Sequence, residues 1–112
     1  MGKKTNTELV KEVIDFVAAQ RGVKPEKIGL PTRLSQDLGV GGDDGDDLII
    51  DFGRRFNVDL TGFDSLPYFG EEAAFNPLVY LYFLLFDRKK LQLTPLTIRD
   101  LVEAAERGRW RA

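Results

Sequence analysis

Residues 34–60 read LSQDLGVGGDDGDDLIIDFGRRFNVDL, and this stretch decides the fold. It opens as a loop, since Gly39, Gly41 and Gly42 follow one another closely and glycine clusters punctuate rather than propagate regular structure. From Asp43 the pattern changes. Asp43, Asp44, Asp46 and Asp47 crowd what reads as a first helical turn, where carboxylates complement the positive end of the helix dipole. Leu48, Ile49, Phe52 and Phe56 then recur at helical steps, with Arg55 beside them. A helix over residues 43–56 is the expectation, amphipathic and acidic at its start.

The same reading extends outward in both directions. Leu9, Val10, Val13, Ile14, Val17 and Ala18 form one stripe, which predicts a helix over residues 7–21. Asn6 or Thr7 would cap it and Gly22 would end it. The loop of residues 23–42 carries Ile28, Leu34 and Leu38 as isolated apolar side chains to be pinned into the core. Residues 57–76 turn irregular and aromatic, with Phe63, Tyr68, Phe69 and Phe75 among Gly62, Pro67 and Gly70. Pro77 then opens a third helix that is apolar on every side, which reads first as core and next as a surface for a partner. Leu91, Leu93 and Leu96 alternate with other residues as a short extended piece. Thr97 and Asp100 outline a capping box before a last helix whose stripe is Ile98, Leu101, Val102 and Ala105, ended by Gly108. The expectation is one all-α domain over residues 1–112, a four-helix bundle with long loops and an extended third-helix region.

Composition narrows the chemistry. The chain of 112 residues has no cysteine and no histidine. Thiolate nucleophiles, disulfides, thiolate metal sites and the commonest general base and metal ligand are therefore absent. Paired carboxylates could still act as acid and base, but these aspartates read as exposed and mutually repelling, so no enzyme is expected. A calcium loop fails too: counted from Asp37, the third and fifth positions are Gly39 and Gly41 and the twelfth is Leu48. No metal and no bound cofactor are expected. Sixteen Lys+Arg against 18 Asp+Glu argue against nucleic acid as a partner. Residues 1–10 lack the apolar centre of a signal peptide. The longest apolar run, residues 78–86, would span about 14 Å as a helix, against about 30 Å for a bilayer core. No transmembrane segment and a cytoplasmic location are expected. One route to chemistry is left, a group hung on a hydroxyl.

Residues 37–56 bear on that route, because they resemble the heart of an acyl carrier protein. That family has Asp-Leu-Gly, two variable residues, Ser-Leu-Asp at the start of its second helix, and a closing Phe. Here Asp37-Leu38-Gly39, Asp47-Leu48 and Phe56 fall in that register without a gap, and Asp44 keeps the acidic position. The serine that carries phosphopantetheine falls on Gly42, and the residue after it on Asp43. Wider matches, Gly-Asp-Asp, Phe-Asn-Val-Asp, Phe-Asp and Tyr-Phe, then Leu-Thr-Ile, Glu-Ala-Ala and Gly-Arg-Trp, look like an uncharacterised bacterial family with this fold. The resemblance implies the carrier fold and a missing attachment site.

The function this implies is a non-catalytic domain that binds a protein partner. Carrier proteins dock partners through an acidic second helix, and the resemblance carries that role to Asp44, Asp47 and Asp51, with Asp43 beside them. The expected partner has a basic surface. Helix-dipole complementarity and a solvated face explain the same charges without a partner. Two alternatives stand beside this reading. One is a working acyl or peptidyl carrier modified at an atypical serine: Ser65, which spells Asp-Ser-Leu with Pro67 following, or Ser35 in the loop. The other is a self-associating structural domain, a homodimer through Phe75, Tyr80, Tyr82 and Phe83. Trp110, among Arg107, Arg109 and Arg111, reads as a C-terminal clasp on the bundle.

Overall fold

The computed structural model describes residues 5–69, 77–86 and 94–110. Helix α1 spans Asn6–Arg21. Its cap is Thr5, whose Oγ1 accepts from the Glu8 N–H at 3.2 Å. Asn6 and Thr7, the expected caps, lie inside the helix. Thr5 and Glu8 stand in the threonine-to-glutamate spacing of a capping box, and that spacing is the signal that marks the true start. Gly22 closes α1 in the left-handed region at φ 67°, donating to the Ala18 carbonyl. Leu9, Val13, Val17 and Ala18 are its buried face.

The loop that follows holds a short 3-10 turn, Pro25–Lys27. Ile28 and Leu34 are buried as expected, Leu38 is half-buried against the core, and Val40 joins them. The loop is tied to the end of the chain by backbone bonds from Leu34 N–H to Leu96 O at 2.8 Å and from Ile98 N–H to Thr32 O at 3.0 Å. Of the extended piece expected at residues 91–96, residues 91–93 lie outside the described residues. Leu96 is buried, and Thr97 forms an isolated antiparallel bridge with Arg33.

Helix α2 spans Gly42–Phe56, one residue earlier than its aspartates suggested, and ends at Asn57 in the left-handed region. Its buried face is Gly42, Gly45, Leu48, Ile49 and Phe52. One turn of helix, α3 at Leu66–Phe69, follows within the stretch expected to be irregular. Phe69 is fully buried against Gly45. Helix α4 spans Pro77–Phe86 and α5 spans Ile98–Arg107. The capping box of α5 forms as expected, with Asp100 N–H donating to Thr97 Oγ1 at 3.2 Å and Thr97 N–H to Asp100 Oδ2 at 3.0 Å.

The fold is thus mostly helical, and the described residues hold no strand, only two isolated bridges. The core lies among α1, α2, α5, the 23–41 loop and Phe69 of α3, and all its members are apolar. Burial of α4 in that core is corrected. Leu78, Leu81, Tyr82, Leu85 and Phe86 are all exposed, and none belongs to the core. An apolar run specifies a helix that seeks cover. It does not specify that the cover comes from the same bundle.

Candidate functional site

The start of α2 is built from the loop before it. Asp37 closes a turn on Arg33, accepting from the Arg33 N–H at 2.8 Å and from its guanidinium at 2.8 and 3.1 Å. The Arg33 side chain, and then its backbone N–H, hold the Asp37 carboxyl below the ordinary aspartate range. Leu38 follows, and Gly39 turns the chain at φ 69°. Gly41 is the N-cap, extended and without a side chain to accept from the first turn. Gly42, the first residue of α2, is buried and has φ 52°. A side chain in that left-handed conformation costs about 1–2 kcal/mol. Position 42 therefore carries no hydroxyl, and its backbone disfavours any side chain.

Arg21, in the last turn of α1, reaches over this start. Its guanidinium lies 3.5 Å from the Leu38 carbonyl and 3.5 Å from Asp44 Oδ2. Its Nε is buried with no hydrogen-bond partner. Gln20 Nε2 donates to Asp51 Oδ2 at 2.9 Å, a second polar link between α1 and α2.

The aspartates themselves share one face. Asp43, Asp47 and Asp51 recur every four residues and Asp44 and Asp46 flank them, opposite the side that buries Gly45, Leu48 and Phe52. Asp43, Asp44, Asp46 and Asp47 are exposed, while Asp51 is half-buried beneath Gln20. Ile50 stands among them, 46% exposed and one turn on from Asp46 and Asp47. Sequence reading missed Ile50, because two isoleucines in a row meet the core stripe and only one can face inward. The signal was the doubled Ile itself. Arg54 and Arg55 end the helix, and the Arg55 guanidinium lies 5.1 Å from the centre of the Phe56 ring.

The other candidate residues fall elsewhere. Ser65 is half-buried just before α3, and its carbonyl accepts from the Tyr68 and Phe69 N–H groups. Ser35 is half-buried in the turn before α2, and its carbonyl accepts from the Gly39 N–H. Phe75 lies outside the described residues, as do the side chains of Tyr80 and Phe83, while Tyr82 is exposed. Two grooves, of about 680 and 550 Å³, flank Arg55. Phe16 and Gln20 line the first, Phe56 and Glu106 the second, and neither reaches Gly42 or the aspartates of α2. Among the described residues no three carboxylates gather to hold a metal ion. Among them, too, no helix is long and apolar enough to cross a membrane.

A family model described as "Protein of unknown function (DUF1493)" matches residues 3–111. No curated protein and no solved structure matches the chain.

Proposed function

We propose, for a chain that belongs to the DUF1493 family, the role of a non-catalytic, acyl-carrier-like module that binds a basic protein partner through the exposed face of α2 and the loop before it. The observation that carries this reading is one surface. Four exposed carboxylates over the first two turns of α2 lead up to an exposed isoleucine in mid-helix, on the side opposite the core. Charge on such a face steers encounter and fixes register more than it supplies affinity. The affinity comes from an apolar side chain beside those charges, and Ile50, one turn on from Asp46 and Asp47, is the one this face offers. The buried Gly42, with φ 52° and no hydroxyl, supports a module that works without the phosphopantetheine arm. Its location on this reading is the cytoplasm.

Two measurements test the proposal. Coexpression with a broad-specificity phosphopantetheinyl transferase should leave the intact mass unchanged. A gain of one arm overturns the armless reading in favour of a carrier modified at Ser65 or Ser35. Replacing Asp44, Asp47 and Asp51 together with Asn should slow association with a captured partner by about tenfold or more while the far-UV circular dichroism stays as it was. An unchanged association rate rejects the acidic face.

A further inference from the structure

At about 100° per residue, the polar side of α2 divides into two lines. Asp43, Asp47, Ile50 and Arg54 lie within about 60° of one another, at i, i+4, i+7 and i+11. All four are exposed, on the side away from the buried Leu48 and Phe52. Asp44, Asp51 and Arg55 lie about 90° round from them, on the edge beside α1. There Asp44 meets Arg21, Asp51 accepts from Gln20, and Arg55 lines a groove with Phe16. The fold thus engages the second line itself and leaves the first to solvent.

The outer line changes sign along its length. It begins on two carboxylates, passes Ile50 and ends on a guanidinium. Asp51 stands three residues before Arg54, a spacing at which helix ion pairs form, yet its carboxylate is linked to Gln20. The Arg54 side chain pairs with no carboxylate among the described residues. Helix-dipole complementarity accounts for acids early and arginines late, but not for an exposed isoleucine between them.

We infer that, resting on α2 as the docking face proposed above, the partner is not basic throughout. Its contacting segment runs basic, apolar, acidic over about 16 Å, and Arg54 selects the acidic end and so sets the direction of docking. Charge complementarity chooses this occupant. A segment basic along its whole length sets a cation against Arg54. A second copy brings the same α2, with five aspartates against two arginines, and so a surplus of like charge.

Two synthetic helical peptides of equal length serve as probes. One has a lysine block, a leucine and a glutamate block, and the other has lysine in place of every glutamate. Titration of the whole chain with each gives the dissociation constants. Arg54→Glu should weaken the mixed peptide by about tenfold, because it sets like charges together, and should tighten the all-lysine peptide. Arg54→Gln should fall between, with the far-UV circular dichroism unchanged. Lys27→Glu, the same change of charge on the exposed 3-10 turn, should leave the mixed peptide as it was. Equal effects of Arg54→Glu and Lys27→Glu on both peptides overturn the inference and leave the acidic face standing. A parent chain that binds neither peptide removes the docking face and the inference with it. A parent chain that self-associates in sedimentation, and is monomeric as Arg54→Glu, assigns the line to a second copy and overturns the separate partner.

Discussion

Gly45 and Gly53 are both glycines within α2, and their surroundings crowd them to different degrees. A Cβ at Gly45 would enter the ring of Phe69, which is fully buried and cannot retreat. At Gly53 such a Cβ would meet Leu60 Cδ1 at 2.8 Å and Cγ at 3.2 Å, a half-buried side chain, and the Val58 carbonyl oxygen at 3.3 Å, a milder crowding than a ring at 2.3 Å. Overpacking a fixed neighbour costs about 1–3 kcal/mol, whereas Gly to Ala within a helix gains about 1 kcal/mol. Gly45→Ala should therefore lower the urea midpoint clearly more than Gly53→Ala does. Equal shifts for the two variants would show that Phe69 does not set the contact. Sequence reading found part of this residue-scale picture. It found the glycine-rich approach to α2, but read Gly42 as the last residue of the loop and began the helix at Asp43. The cap is Gly41, and Gly42 is the first helical residue with positive φ. Adjacent glycines offer no side chain by which sequence could tell them apart. Nor does the pattern Asp-Asp-Gly-Asp-Asp say that its central glycine receives an aromatic ring from a helix further along the chain.

Elements were legible where a local device writes them. Thr97 and Asp100 specify the start of α5 by chemistry confined to four residues, and both bonds of the box form. Thr97→Ala should cost about 1 kcal/mol, within the 0.5–2 kcal/mol range of lost caps, while Thr97→Ser keeps most of the stability. Denaturant titration measures this as a shift in midpoint at constant slope. A shift no larger for Ala than for Ser would mean that the bridge of Thr97 to Arg33, a backbone matter, fixes the end instead. The start of α1 follows the same rule, since Thr5 and Glu8 hold the box spacing and the competing Thr7 does not. Helix α4 shows where local rules stop. Pro77 and nine apolar residues announce a helix, and the helix is there. Its relation to the core is a tertiary fact, and a run that is apolar on every side carries no address. The single turn α3 went unseen for a related reason: four residues are too few for a period.

Across the whole molecule, the two ends of the chain are what close the core. Helix α1 packs along α5, and the Asn6 side chain donates to Glu106. Beyond α5 the chain returns on residues 57–63, with Asp59 N–H donating to Gly108 O at 2.9 Å and Trp110 N–H to Asp59 O at 2.8 Å. Arg107 Nη2 donates to the Trp110 carbonyl at 2.6 Å and holds the turn. The indole then stands edge-on to Phe63, with ring centres 4.8 Å apart, and edge-on to Tyr68 at 6.0 Å. Those two rings stack on each other at 5.6 Å. Trp110 is 5% exposed, so the clasp expected from its position among arginines is a core contact. It fastens the last helix to the segment that delivers Phe69 onto Gly45. Removing a buried tryptophan costs about 3–5 kcal/mol, a large share of the 5–15 kcal/mol that stabilises a typical domain. Trp110→Ala should unfold at markedly lower urea by far-UV circular dichroism. Trp110→Phe, which keeps an edge-on ring for Phe63, should recover more than half of the loss. The acidic face of α2 points away from the buried side of that helix, where Phe69 meets Gly45. At urea-free equilibrium the folded fraction of Trp110→Ala should therefore bind a captured partner as the parent chain does. A partner lost in proportion to Trp110, and not to the folded fraction, would place the aromatic clasp within the binding surface.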